Sequence, residues 1–177
     1  MVYQIRMAKF VDAEQIAEVH VDSWKSTYAD LINEKDMSNI TYENRKTLWE
    51  TVLKMPKEGQ PAIVVEDDRE RIVGFISGGK ERTKRFGYDG EIYAIYLLTD
   101  YQRKGLGSML LHAFAEKMQT EGYSSILVWV LTENPSNQFY LDYGAKQIEK
   151  EETTIGSGTY QETAYGWKDI DQLLAKF

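Results

Sequence analysis

The sequence predicts an α/β fold of the α+β kind, a single domain over residues 1–177, and three observations point to it. Short apolar runs of strand-like composition alternate with segments of helical period. No Pro/Gly/Ser-rich stretch is long enough to act as an interdomain linker, and no repeat or low-complexity tract interrupts the chain. Hydrophobic residues fill 42% of the positions, with four Trp, twelve Tyr and six Phe, enough to build a substantial core and to argue against disorder.

The elements follow in order. Residues 3–9 predict a first strand. Asp12 stands as a helix N-cap with Gln15 three residues on, Val11 and Ile16 are placed as a hydrophobic staple, and apolar spacing continues to Tyr28. Tyr42–Met55 predicts a second helix, with Leu48, Trp49, Val52 and Leu53 inward. Pro61–Glu66 and Arg71–Gly78, rich in Val and Ile and separated by the polar Asp67–Glu70, predict a β-hairpin. Glu91–Leu98, almost continuously apolar, reads as a central strand. From Gly105 the period becomes helical through Leu106, Leu110, Phe114 and Met118, and Gly122 stops the helix. Ser125–Leu131 predicts a buried strand, and Asn134 with Pro135 opens a short helix to Tyr143. Two strands near 145–154 and 159–168 are joined by Gly156-Ser157-Gly158, and Asp169–Phe177 predicts a terminal helical turn or two.

Composition narrows the chemistry. With no cysteine, disulfides, thiolate metal sites and a Cys nucleophile are excluded. A formal charge of −7 disfavours nucleic acid as a partner and favours cations, protonated amines included. No run approaches the ~20 apolar residues of a membrane helix, and Met1–Phe10 does not resemble a signal peptide, so no membrane role and a cytoplasmic location are expected. The two histidines, His20 and His112, are too isolated for a metal motif, and no metal is expected. Lys80, Arg82, Lys84 and Arg85 read as a solvated basic loop.

The most informative segment is Gln102-Arg103-Lys104-Gly105-Leu106-Gly107-Ser108, between a strand and an amphipathic helix. Glycines there let backbone approach a ligand, and a helix start offers unpaired N–H groups at the positive end of its dipole. Together these suit a pyrophosphate. A P-loop lacks its Lys here, and a dinucleotide fingerprint lacks its third glycine, Leu110 taking that place.

Gln-x-x-Gly-x-Gly after a strand resembles the coenzyme A signature of the GCN5-related N-acetyltransferase (GNAT) superfamily. The stretches Ile95–Gln102, Asn134–Tyr140 with Tyr143-Gly144-Ala145, His20–Tyr28 and Thr163–Trp167 resemble further parts of that family in the same order. One departure stands out: Asn134 lies six residues before Tyr140, where the commonest pattern has seven. This resembles an Asn-Pro variant of the motif.

The resemblance implies a twisted, mixed, mostly antiparallel sheet of six or seven strands flanked by about four helices. It implies acetyl-coenzyme A as co-substrate and transfer of its acetyl group to a primary amine by direct attack in a ternary complex. Ile95, Tyr96 and Leu97 would pair with the pantetheine arm, and Gln102, Arg103, Lys104, Gly105, Leu106, Gly107 and Ser108 would hold the pyrophosphate. Asn134 and Asn137 are further coenzyme candidates. Tyr140 is the candidate general acid. Glu91, eleven residues before Gln102 and placed by simple alternation on one face with Tyr93, Ile95 and Leu97, is the candidate base, with water as its alternative. Trp24 and Tyr28 are candidates for the acceptor pocket. A homodimer is expected, since small enzymes are often symmetric. Two other readings stand beside the enzyme: a non-catalytic acyl-coenzyme A sensor, and a nucleotide-binding protein of another α/β fold.

Overall fold

The computed structural model describes residues 2–177. Seven strands form one sheet: β1 (Gln4–Met7), β2 (Ala62–Glu66), β3 (Ile72–Lys80), β4 (Gly90–Leu97), β5 (Ile126–Leu131), β6 (Lys146–Ile155) and β7 (Gly158–Trp167). Their order is β1-β2-β3-β4-β5-β7-β6, and only β4 and β5 run parallel. Five helices accompany it: α1 (Ala13–Tyr28), α2 (Tyr42–Lys54), α3 (Leu106–Thr120), α4 (Asn137–Asp142) and α5 (Ile170–Leu174). The sheet is mixed and mostly antiparallel, as expected.

Each face of the sheet carries its own core. On one side α3 buries Leu106, Leu110, Leu111, Phe114 and Met118 against Ile63, Val65, Val73 and Ile76 of β2 and β3. On the other, Ile16, Ala17 and Val19 of α1 with Trp49 and Leu53 of α2 cover Val64, Ile72 and Phe75. The even and odd positions of β2 thus serve opposite layers, as strand geometry requires. Truncating a fully buried aromatic such as Phe114 to Ala carries a cost of about 3–5 kcal/mol.

Several local expectations are corrected. Asp12 makes no side-chain cap on α1. Its carboxylate accepts instead from the Lys9 N–H at 2.7 Å and from both terminal nitrogens of Arg6 at 2.8 and 3.0 Å, a fork-to-fork pair that outcompetes a neutral amide. Leu48 and Val52 are 41% and 38% exposed, so α2 buries a narrower stripe, Trp49 and Leu53, than its apolar content implies. The short helix after β5 starts at Asn137, because the Asn134 side chain accepts from the Ser136 N–H at 2.9 Å and closes a turn of its own first. The basic run Lys80, Arg82, Lys84 and Arg85 is exposed, as expected, but two of its members are engaged: Arg82 and Arg85 are paired with Glu91 and Glu151.

The decisive irregularity lies in β4. Ser77 pairs with Ala94 but Gly78 with Ile92, so Tyr93 is an extra, bulged residue. Gly78 makes this packing possible, since a Cβ there would overlap the Phe114 ring and the Glu91 carbonyl. The bulge shifts the alternation. Ile92, Ile95 and Leu97 share the α3 side, while Ala94 and Tyr96 face α1. Glu91 is therefore not on the face of Ile95 and Leu97, contrary to simple alternation.

His20 is buried between layers rather than facing a pocket. Its Nδ1 accepts from the Trp49 indole N–H at 3.1 Å, and its ring stacks on Tyr96 at 5.2 Å. Burial, then the nearby Arg45, holds its imidazole down at about 4. Between pH 6.5 and 4 the unfolded chain takes up a proton that the folded one refuses, so stability falls as pH falls through that window. Relative to His20→Gln, the wild type should lose roughly 3 kcal/mol more on going from pH 7 to pH 4. Urea unfolding of both proteins at the two pH values checks this; equal losses would refute it.

Candidate active site

Strands β4 and β5 are paired only where Gly90–Ile92 meets Ile126–Val128. Beyond that point they diverge, and the backbone edge of β4 from Tyr93 onward faces a gap instead of a neighbour. The gap is the floor of a cleft of about 1060 Å³, lined by both strands, the start of α3, the start and inner face of α4, and Ser26–Tyr28 at the end of α1. Ile95, Tyr96 and Leu97 all line it.

At one end of the cleft the chain turns into α3. Arg103 and Gly105 take left-handed backbone conformations, φ 59° and 81°, which swing the following amides toward the cleft. The first helical bond is from the Met109 N–H to the Gly105 carbonyl at 3.1 Å. Among the described residues, the N–H groups of Arg103 to Ser108 donate to no protein acceptor. The Gln102 side chain donates to the Leu97 carbonyl at 3.2 Å and ties this turn to the end of β4. Gln102, Arg103, Gly105, Gly107 and Ser108 line the cleft. Leu106 points into the core with 1% exposure, so only its backbone is available. The Lys104 ammonium lies 5.5 Å from the Tyr101 ring centre, away from the cleft. What results is a row of unpaired amides with a cation beside it, fit for a pyrophosphate.

At the middle of the cleft stands Tyr140, 4% exposed, its ring held between Tyr165 and Trp167. Its hydroxyl has no hydrogen-bond partner among the described residues and borders the open cleft. Burial, and then neighbouring Tyr28, pushes its pKa well up, so the hydroxyl stays protonated and available as a donor. Asn134 lines the cleft too, its Nδ2 donating to the Tyr28 hydroxyl at 3.3 Å. Asn137 does not. Its amide donates to the carbonyls of Leu131, Thr132 and Asn134, and its oxygen accepts from the Tyr165 hydroxyl at 2.6 Å. Those bonds use up the group. Asn137 holds the β5–α4 loop, and its candidacy as a coenzyme contact is withdrawn.

The other end of the cleft is aromatic, with a group of carboxylates lying outside its lining. Tyr28 lines it, while Trp24 packs on Tyr28 at 4.5 Å between ring centres and lies behind the wall. Glu91 is 2% exposed and does not reach the cleft lining. Its Oε1 accepts from the Arg82 backbone N–H at 3.1 Å and Nε at 3.3 Å, and its Oε2 from a terminal nitrogen at 2.8 Å. On the same face of the sheet, Arg85 holds Glu151 at 2.8 Å and stacks near Trp129, which lines the cleft. Glu162 on β7 sits opposite Leu131 and beside Glu151. It is partly buried and has no ion pair or side-chain hydrogen bond among the described residues. Burial, and then the Glu151 and Glu91 carboxylates, raises its pKa. Three carboxylates here meet two guanidiniums, and Glu162 is the one left over.

Several lining residues were not singled out from sequence: Ser26, Thr27, Thr99, Trp129, Gln138, Phe139 and Tyr143. Phe139 and Tyr143 carried a signal, as neighbours of Tyr140 on a short amphipathic helix. Tyr143 meets the Ser108 hydroxyl across the cleft and bridges α4 to the start of α3.

Known proteins share this architecture. A profile of the acetyltransferase (GNAT) family matches residues 14–145. An uncharacterised N-acetyltransferase of Bacillus subtilis, YuaI, is 36% identical over 169 residues, spanning 96% of this chain and 95% of its own. A spermidine N(1)-acetyltransferase of Thermoplasma acidophilum is 25% identical over 168 residues, spanning 93% and 99%. The structure of yncA from Salmonella typhimurium with its cofactor acetyl-CoA superposes with a TM-score of 0.73 at 22% identity, covering 97% of this chain and 95% of that one. With its fold, its glycine turn and the greater part of its length matched, this chain belongs to the GNAT family of acetyltransferases.

Proposed function

We propose that the protein transfers the acetyl group of acetyl-coenzyme A to a primary amine of a small molecule or a peptide, by direct attack while both substrates are bound. The observation that carries this reading is the divergence of β4 from β5, which leaves an unpaired strand edge leading straight to the free amides of α3. A pantetheine chain is an extended diamide and suits such an edge, much as an added strand does. The diphosphate suits the amides of Arg103 to Ser108. The fit agrees with yncA, whose cofactor is acetyl-CoA.

In the reaction the amine nitrogen forms a bond to the thioester carbonyl carbon, and the C–S bond then breaks. Holding both reactants in one cleft supplies most of the acceleration. The backbone N–H of Leu97 serves the developing oxyanion, and the Tyr140 hydroxyl gives its proton to the leaving sulfur. The acceptor ammonium first loses one proton to water, which frees its lone pair, and the second N–H proton, lost from the tetrahedral intermediate, returns through water to restore the Tyr140 hydroxyl. Glu91 is the weaker candidate for taking the amine's protons, since both its oxygens are committed to Arg82. A non-catalytic sensor would not need Tyr140 with an unpartnered hydroxyl in the cleft.

The acceptor is best read as a cation in solution. Tyr28 and Trp129 offer ring faces, and Glu162, just outside the lining, supplies a carboxylate without an ion-pair partner among the described residues. The spermidine acetyltransferase relative is consistent with such an acceptor.

Thiol release from acetyl-coenzyme A in the presence of spermidine, an amino acid or a peptide with a free α-amine tests the reading; no release with any amine would overturn it. Tyr140→Phe should lower kcat about 100-fold while leaving the acetyl-coenzyme A Kd within twofold, measured by calorimetry. Glu162→Gln should raise the KM for spermidine about five- to tenfold with kcat little changed, in line with a partly screened charge pair of about 1 kcal/mol. A KM equal to wild type would remove Glu162 from acceptor recognition.

A further inference from the structure

The turn between β6 and β7 is built around a side chain from the far end of the sequence. Asp36, in the connection from α1 to α2, is 2% exposed. Its Oδ1 accepts from the Ser157 N–H at 3.0 Å and the Ser157 hydroxyl at 3.1 Å, and its Oδ2 accepts from the Tyr160 hydroxyl at 2.5 Å. The Tyr160 oxygen in turn accepts from the Asn33 N–H at 3.0 Å, so the connection is held at two points. Both glycines flanking Ser157 are shaped by this contact. A Cβ on Gly156 would lie 2.6 Å from the Asp36 Cα, and one on Gly158 would overlap Oδ2. Gly-Ser-Gly is therefore more than a hairpin linker; it is the receptor for one carboxylate.

The connection so held is the continuation of the cleft wall. It follows directly on Ser26–Tyr28, which line the cleft. Ile32 and Met37 from it pack with Tyr28, Leu131, Ile155 and Tyr160 in one cluster. Tyr28 reaches across to Asn134 and lies beside Tyr140. Few other polar contacts tie residues 29–41 to the sheet, so the apolar cluster and the Asp36 contact set where this wall stands.

We propose that Asp36, Ser157 and Tyr160 form a latch that fixes the acceptor wall of the cleft, making Asp36 and Tyr160 positioning residues for the incoming amine. The inference rests on the acetyl-transfer reading above. A wall held by three hydrogen bonds to one carboxylate is rigid while closed, yet its release requires only the turn to lift. The latch lies away from the α3 amides, so its loss should not disturb the coenzyme.

The test compares wild type with Asp36→Ala, Asp36→Asn, Tyr160→Phe and Gly158→Ala. Asp36→Asn keeps the oxygen that Ser157 uses, and Gly158→Ala removes no polar group. Amide exchange by mass spectrometry reads the latch, and steady-state kinetics with spermidine and acetyl-coenzyme A read its effect. Expected are at least tenfold faster exchange across residues 31–40 in Asp36→Ala and Gly158→Ala, with α3 unchanged. The KM for spermidine should rise fivefold or more, with the acetyl-coenzyme A Kd within twofold. Asp36→Asn and Tyr160→Phe should fall between these and wild type. Faster exchange with unchanged spermidine kinetics would overturn the positioning role, and unchanged exchange would overturn the latch itself. If wild type acetylates no amine, the acetyl-transfer reading fails first, which is a different result from variants that match an active wild type. A variant that fails to fold leaves the milder Tyr160→Phe to decide.

Discussion

Everything functional in this molecule depends on two parallel strands that pair for three residues and then separate. A sheet normally satisfies its backbone by continuing its ladders, and an unpaired edge inside a domain is a cost. Here β4 is pulled toward β3 by a bulge at Tyr93, while β5 follows β7 along six consecutive pairs. The two ladders on either side are extensive, so the split is held from outside. The amides that begin α3 are left open by the same geometry, because the chain must turn sharply at Arg103 and Gly105 to leave β4. A ligand that is extended at one end and doubly charged at the other completes both deficits at once.

The distribution of charge follows from the same cleft. Most of its lining is neutral, made of tyrosines, asparagine and backbone amides, with Arg103 and Asp142 as charged exceptions. Burial raises the pKa of Tyr28, Tyr96 and Tyr140, so these hydroxyls remain donors across the working range. Beyond the lining, the neighbouring carboxylates are mostly engaged before any ligand arrives: Glu91 with Arg82, Glu151 with Arg85, Asp36 with donors from the hairpin. Pairing keeps the desolvation cost of those groups in check. Among the described carboxylates on this side of the sheet, it leaves Glu162 without an ion-pair partner.

Much of this was legible in the sequence, and the features that were not share a cause. The helices, the hairpin and the glycine turn were readable because each is a local pattern of period, punctuation and backbone freedom. Tyr140 is singled out by the resemblance of Asn134–Tyr140 to the family's motif, not by any local period. The face of Glu91 was not readable, because one bulged residue inverts alternation and Gly78 in sequence does not announce which strand it will meet. Nor was the role of Asn137, which depends on three carbonyls and a Tyr165 hydroxyl brought in from β7. Asp12 looked like a cap because capping is judged from the residues that follow, whereas its partner Arg6 comes before it. Leu48 and Val52 looked inward because composition counts apolar residues without knowing how much sheet there is to cover.

Long-range polar contacts are the hardest class, and the connection from α1 to α2 is held by one of them. Asp36 and Ser157 are separated by 121 positions, and nothing in either neighbourhood announces the other. The proposed coenzyme end, by contrast, is made of backbone groups from one continuous segment, Arg103 to Ser108. That asymmetry has a physical basis. A diphosphate is recognised by N–H groups that every residue except proline possesses, so the requirement falls on conformation and shows up as glycines. An acceptor, on the proposed reading, would meet side chains from α1, β5 and β7, whose relative positions exist only in the folded chain. On the acetyl-transfer reading, the coenzyme end is thus announced by one short stretch of sequence, whereas the acceptor end depends on how the fold places Tyr28 and Trp129 in the wall and Glu162 behind it.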